Sequence, residues 1–371
     1  MIQGRNASVT LQDGRVAKRG KGGGRRYLGP GLVDLQINGF RGLDFNTLPL
    51  AAEVAGKVTR ELWAEGVTSY LATVITNAPE AMEEACRGIA RGREEDAAAR
   101  EGIVGIHLEG PFISPEDGPR GAHERAFVRA PDWELFRRWQ DAAGGIVRMI
   151  TLSPEWPEAT SFIEKAVESD VLVSIGHTGA TPARVREAIE AGARVSTHLG
   201  NGAHLVLPRH PNYLWEQLAD DRLHACFIAD GFHLPDAVMK VIARVKGRRA
   251  LLVSDAVYLA GLEPGTYETH IGGKVVLTER GKLHLAANPD LLAGSAAMML
   301  RGVERLVAAG IADLDEAWDM ASVRPAALLG LPSAKGLKPG APADLVLVEE
   351  RDGGLRVVET YKSGRRVYRR R

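Results

Sequence analysis

The sequence predicts an α/β fold: a (β/α)8 TIM-type barrel with a small β-sandwich domain formed by both chain termini. Two patterns predict it. Short apolar runs that end in a polar residue or a glycine recur eight times, with amphipathic helical patterns between them. Both ends of the chain instead carry short alternating runs cut by glycine turns. Eight strand–helix units over about 225 residues favour a closed barrel over an open, doubly wound sheet.

The expected barrel strands are Val33–Gly39, Thr68–Ile75, Gly102–Gly110, Gly145–Ser153, Val171–His177, Ala193–Leu199, His224–Asp230 and Ala250–Asp255. Between them, Val54, Val58 and Leu62 share one helical face, and Gly66 stands where a helix-ending glycine belongs. Met82, Cys86 and Ile89 repeat the pattern after Pro79. Thr181 reads as an N-cap with Pro182 in the first turn, followed by Val185, Ala188 and Ile189 and ended by Gly192. Val238, Val241, Ile242 and Val245 follow Pro235 and stop at Gly247. Residues 1–30 and 336–371 are each too short to hold a core, so they are expected to pair as one β domain, with 31–335 as the barrel. Further strands are expected over 265–285 and helices over roughly 295–330.

Composition narrows the function. Lys+Arg 47 and Asp+Glu 47 cancel, so the net basic field of a nucleic-acid protein is missing. The tail Arg369-Arg370-Arg371 reads as a solvated terminus, because no basic helix or aromatic platform accompanies it. No apolar stretch approaches the roughly 20 residues of a membrane span, and no signal-type apolar run follows Met1. Two cysteines, Cys86 and Cys226, make no disulfide framework and suit a reducing, cytoplasmic setting.

Barrel enzymes carry their chemistry at the C-terminal ends of the strands. There the first run offers Gln36 and Asn38, and the third carries His107 and ends at Glu109. The fifth ends at His177, the sixth at His198, the seventh at Asp230 with His233 just beyond, and the eighth at Asp255. Glu109, His177 and His198 form a His2Glu set, which leaves a fourth position open as a catalytic zinc requires. A water there has a pKa lowered toward about 7. Asp255 then has a natural task, taking the water proton and returning it to a leaving amine. The alternative, in which these side chains only hydrogen bond, is disfavoured because ionised carboxylates are rarely buried without partners. His107 lies two residues before Glu109 and points to the same side of its strand, as support or packing.

At these residues the chain resembles the N-acetylglucosamine-6-phosphate deacetylases of the amidohydrolase superfamily. The matching segments are GPGLVDLQING (29–39), GIHLEGPF (105–112), GAH (121–123), TLSPE (151–155), GHTGAT (176–181) and STHLGN (196–201). They continue, in the family's order and over nearly the whole chain, with IADGFH (228–233), LVSDA (252–256), LAGSA (292–296), RPAALLGL (324–331) and GLKPGAPADLVL (336–347). The resemblance implies the barrel and terminal β-sandwich, Glu109, His177 and His198 as metal ligands, and Asp255 as the acid/base. It implies that His123 contacts the substrate near its carbonyl, that His233 binds substrate, and that Asn201 and Gly202 hold the sugar phosphate. Arg209, eleven residues after His198, matches a phosphate-binding arginine contributed across a dimer interface, so a homodimer is implied. The implied reaction is hydrolysis of the 2-acetamido group of N-acetylglucosamine 6-phosphate to acetate and a free amine.

Four departures qualify the match. Many amidohydrolases place His-x-His on the first strand and bind two metals; here the positions hold Gln36-Ile37-Asn38. Amides are poor zinc ligands beside imidazole, so one divalent metal per chain is expected: zinc suits the set, and iron, cobalt or manganese could occupy it. Gly200-Asn201-Gly202-Ala203-His204, the Leu-Pro-Arg-His-Pro-Asn run at 207–212 and Trp215-Glu216-Gln217-Leu218 also differ from the family's usual segments. Those three lie where sugar and phosphate would bind, making His204, His210 and Trp215 candidate specificity groups. A different N-acyl amino sugar or N-acyl amine is therefore the alternative substrate. A non-catalytic oligomeric barrel would predict a decayed ligand set, whereas all three ligands and Asp255 are present.

Overall fold

The computed structural model describes residues 7–21, 26–269 and 273–371. Eight strands form one sheet in chain order: Leu32–Ile37, Val67–Ile75, Ile103–Glu109, Val147–Leu152, Leu172–Ile175, Val195–Ser196, His224–Phe227 and Ala250–Leu252. All neighbouring pairs are parallel. A parallel bridge between Ile37 and Ala256 joins the first strand to the chain just beyond the eighth and closes the barrel.

The strands read as near-continuous apolar runs because both faces are covered. Val33, Leu35, Leu71, Met149, Val195, Cys226, Leu251 and Val253 form one cluster, with Ala326 and Leu329 packed against it. The alternate residues, among them Tyr70, Ala72, Val74, Ile106, Leu108, Val173, Ile175 and Phe227, join the helices in the main core.

Most expected helices are present, with their signals in place. Helix Glu53–Ala64 buries Val58 and Leu62, and Gly66 follows it at φ +81°. Helix Pro79–Glu95 buries Met82, Cys86 and Ile89. Helix Pro182–Ala191 is capped by the Thr181 side chain and ends at Gly192 in the left-handed region. The expected face of Asp236–Lys246 is out of phase. Ile242 is buried as expected, together with Met239 and Ala243, whereas Val238, Val241 and Val245 are exposed. The valines dominate the apolar count, but Met239 sets the buried stripe.

The strands end earlier than the apolar runs suggest. His177, His198 and Asp255 have φ of +48°, +25° and +47° and lie past the last ladder residues of their strands. A left-handed residue turns the chain out of the sheet, so each of these side chains stands on a sharp turn at the barrel mouth.

Both termini contribute antiparallel sheet. Arg26–Pro30 pairs with Leu345–Arg351, which continues through Gly354–Lys362 to Arg365–Arg369. The hairpin Ala7–Gln12/Arg15–Lys21 joins them through a bridge from Arg15 to Pro342 and a shared core of Val16, Leu337, Ala341, Ala343 and Leu345. Residues 1–6 and 22–25 of the expected β domain lie outside the described residues. After the barrel, Gly265–Thr269, Gly273–Leu277, Leu283–Leu285 and Asn288–Leu292 form a separate four-stranded sheet over Leu259, Val275, Leu277 and Leu283. Helices Met299–Ala308, Leu314–Met320 and Val323–Leu328 follow.

Candidate active site

Glu109, His177 and His198 converge at the mouth of the barrel, all buried. Glu109 Oε1 lies 3.3 Å from His177 Nε2 and 3.0 Å from His198 Nε2, and the two Nε2 atoms are 3.1 Å apart. The carbonyl of Pro119, 2.9 Å from His177 Nδ1, can only accept, so Nδ1 carries the proton and Nε2 presents its lone pair to the cluster. His198 Nδ1 has no partner among the described residues. Nitrogen and carboxylate lone pairs this close repel unless a cation lies among them. Two imidazoles and one carboxylate suit a divalent transition metal.

The electrostatics agree. Burial pushes the Glu109 carboxyl up, but the adjacent imidazoles of His177 and His198 overcome it and hold the group well below the usual carboxylate range. Burial pulls the His198 imidazole down, yet the neighbouring Glu109 carboxylate raises it overall. Gln36 fixes the same carboxylate oxygen, Nε2 donating to Glu109 Oε1 at 2.6 Å.

The His177 ring is held between two glycine turns. A Cβ at Gly202 would lie 2.7 Å from its Nδ1, and one at Gly121 would lie 3.2 Å from its Cε1. Both glycines have positive φ, +57° and +60°, so neither position readily accepts a side chain. Asn201 lies beside this turn and donates its backbone N–H to the His198 carbonyl at 3.0 Å.

His123 lies against the cluster. Its Nε2 is 3.3 Å from His177 Nε2 and 3.9 Å from Glu109 Oε2, and its buried Nδ1 has no partner among the described residues. Burial, reinforced by the charge of His177, pushes its pKa down to about 3, so the ring is neutral at physiological pH.

Asp255 stands beside the cluster. Asn38 Nδ2 donates to its Oδ1 at 2.8 Å, which leaves Oδ2 for chemistry. Burial, then the charge of Glu109, raises its pKa to about 6, while His198, His233 and Asn38 pull the other way. His233 Nδ1 donates to Asp230 Oδ2 at 2.7 Å, which leaves Nε2 as an acceptor in the neutral ring. Left-handed backbone costs a non-glycine residue about 1–2 kcal/mol. Three such residues in one site mark strain held by the surrounding structure.

The remaining expected residues divide. His204 Nε2 meets Glu116 Oε2 at 2.8 Å and its Nδ1 meets the Tyr213 hydroxyl at 3.0 Å, tying the loop after the third strand to the loop after the sixth. Arg209 is exposed and has no hydrogen bond or ion pair with the described residues of its own chain. Its neighbours are open too: Leu205 and Val206 are 89% and 87% exposed, Trp215 is 54% exposed, and His210 is also exposed. The chain therefore brings seven expected residues to or beside the cluster — Glu109, His123, His177, His198, Asn201, Gly202 and Asp255 — with His233 near Asp255, and leaves Arg209 outside. Sequence reading alone missed the Pro119 carbonyl and the buried Asp34–Ser254 pair, which carry no local signal. A cleft of about 690 Å3 at the opposite end of the barrel is lined by residues such as His224, Asp313 and Arg324. It holds none of this chemistry.

The Amidohydrolase family profile matches residues 27–367. The chain belongs to the amidohydrolase family. This family is metal-dependent, and the chain is a hydrolase that acts on an amide bond. The amidohydrolase is 34% identical over 325 residues to the N-acetylglucosamine-6-phosphate deacetylase of Bacillus subtilis, covering 86% of this chain and 80% of that one. It is also 34% identical to the deacetylase of the same name from Homo sapiens, covering 96% and 87%. The N-acetyl-D-glucosamine-6-phosphate deacetylase of Mycobacterium smegmatis, solved in complex with N-acetyl-D-glucosamine-6-phosphate, superposes with a TM-score of 0.86 at 31% identity. That comparison covers 97% of this chain and 94% of the other.

Proposed function

We propose that this amidohydrolase hydrolyses the acetamido group of N-acetylglucosamine 6-phosphate to acetate and glucosamine 6-phosphate. The observation that carries this reading is the convergence of Glu109, His177 and His198 beside Asp255 at the barrel mouth. The relatives that bear this activity support it.

Glu109, His177 and His198 are the proposed ligands of one divalent metal per chain, and zinc is the metal proposed. When bound, such an ion polarises the acetamido carbonyl and lowers the pKa of water. Asp255 is the proposed acid/base: its Oδ2 takes the proton of the attacking water. It then gives that proton to the amine nitrogen as the C–N bond breaks and acetate leaves. His123, neutral and aimed into the cluster, is proposed to contact the carbonyl. His233, Asn201 and Gly202 are proposed to orient the sugar, with Arg209 on the phosphate.

Arg209 is exposed in the single chain. We place it in the site of a second copy, so the homodimer is part of the proposal. The buried, unpaired Cys86 and Cys226 accord with a cytoplasmic enzyme. Residues 1–30 with 336–371 are proposed as one β domain and 31–335 as the catalytic barrel.

The deciding experiment is acetate release by zinc-loaded protein from N-acetylglucosamine 6-phosphate, beside the unphosphorylated sugar. Fast release from the phosphorylated sugar alone is expected. The changed loop at 200–217 favours a second reading, another N-acyl amino sugar. Equal or absent release from both sugars with one metal bound would select that reading.

A further inference from the structure

Asp255 is a non-glycine residue in left-handed backbone, so something must hold it there. The residues on either side of it are held by one hydroxyl. Ser254 Oγ donates to Asp34 Oδ2 at 2.5 Å and accepts from the Ala256 N–H at 3.1 Å. Asp34 Oδ1 accepts two backbone bonds at 3.2 Å, from Ser254 N and Gln36 N. Asp255 N donates to the Gln36 carbonyl at 3.0 Å, and Asn38 N donates to the Ala256 carbonyl at 2.9 Å.

Asp34 thus joins the first and last strands of the barrel. On one side it fixes Gln36, which holds Glu109. On the other it fixes the turn that aims Asp255. The carboxyl is fully buried, and burial pushes its pKa up to about 7 against the pull of its bonds from Ser254. A buried carboxyl of this kind is costly, and an apolar residue would close a barrel at lower cost.

We propose that Asp34 and Ser254 are positioning residues of the hydrolytic reaction: together they clamp the turn at Asp255 so that its carboxylate stays against Asn38 and beside the metal ligands. Neither touches substrate. Both act through Asp255. The proposal rests on the acid/base role given to Asp255 above.

Four proteins test it: the wild type, Ser254→Ala, Asp34→Asn and the double variant, each metal-loaded. Asp34→Asn keeps the shape and an acceptor for the backbone N–H groups, while Ser254→Ala removes the hydroxyl. Each single variant is expected to keep one metal per chain and a KM within about threefold, while kcat falls roughly 10- to 100-fold, part of what a positioned acid/base supplies. The double variant is expected to lose no more than the worse single one, as two groups acting as a unit do. A crystal structure of Ser254→Ala should show Asp255 out of the left-handed region and its bond to Asn38 broken.

Wild-type kcat in Ser254→Ala, additive losses, or an unmoved Asp255 in that crystal would overturn the clamp. If Ser254→Ala does not fold, the kcat-against-KM split of Asp34→Asn and the position of Asp255 in its crystal decide. If the wild type itself releases no acetate, the functional reading fails, and the crystal structures still decide the clamp.

Discussion

Gln36 donates its side-chain amide to Glu109 Oε1 at 2.6 Å, the same oxygen that faces the Nε2 atoms of His177 and His198. The amide stands on the first strand of the barrel. It orients a ligand without offering a strong lone pair of its own. Gln36→Ala should therefore weaken metal binding by about 10- to 100-fold while the stoichiometry of the wild type stays at one, because groups that orient a ligand carry that much affinity. Chelator competition and metal analysis measure both. Unchanged affinity would remove this role, and two metals per wild-type chain would contradict the single-site reading.

Replacing Asp255 should separate metal binding from turnover. Asp255→Asn keeps the acceptor for Asn38 but cannot carry a proton, so kcat should fall roughly 10²- to 10⁴-fold with the metal retained. The wild type should also show an acid limb. Asp255 works only when ionised, and burial with the charge of Glu109 raises its pKa to about 6, so activity falls as pH drops through that region. A bound divalent cation moves the limb below 6. A flat profile of kcat/KM between pH 7 and 4 would take Asp255 out of this task.

Arg209 is exposed and has no partner among the described residues of its chain, so its effect should depend on a second copy. Arg209→Ala should raise KM for the phosphorylated sugar about 10-fold or more, as the loss of charge-assisted bonds of ~1.5–3 kcal/mol implies. KM for an unphosphorylated sugar should scarcely move. Mixing Arg209→Ala subunits with Asp255→Asn subunits should restore turnover, since one site of each hybrid holds both native residues. No recovery on mixing would place Arg209 outside the partner's site.

What could be read in the sequence was what repeats or what sits at a strand end. The runs around Leu71, Ile106, Ile150 and Phe227 are apolar on both faces, and that pattern needs no tertiary information. His177 and His198 stand out because each follows such a run. The helix at Asp236–Lys246 misled, because its exposed Val238, Val241 and Val245 outweigh Met239 in an apolar count. The pairing of Asp34 with Ser254 spans 220 residues and forms only when the barrel closes, so nothing local announces it. Gly202 likewise reads as an ordinary turn until the ring of His177 is set against it.

His107 makes a prediction about stability. Its Nδ1 donates to the Leu35 carbonyl at 3.1 Å, so in the neutral ring Nε2 accepts from the Thr151 hydroxyl at 2.7 Å. A second proton would have to displace that hydroxyl in a fully buried site. Burial accordingly pushes the pKa from 6.5 down to about 4, although Glu109 pulls it up. For a base lowered on folding, the unfolded chain binds the extra proton first. Stability from this group is therefore complete above the unfolded value of 6.5 and declines as pH falls toward 4. The full decline is about 3 kcal/mol, and roughly 2 kcal/mol of it should appear between pH 7 and 5. Urea unfolding of the metal-free protein at both pH values measures it. His123, also neutral and buried, adds a slope of the same sign, so the informative quantity is the difference between the wild type and His107→Gln. The variant should lose less stability on acidification than the wild type. Equal losses in the two proteins would mean that His107 takes up no proton on unfolding.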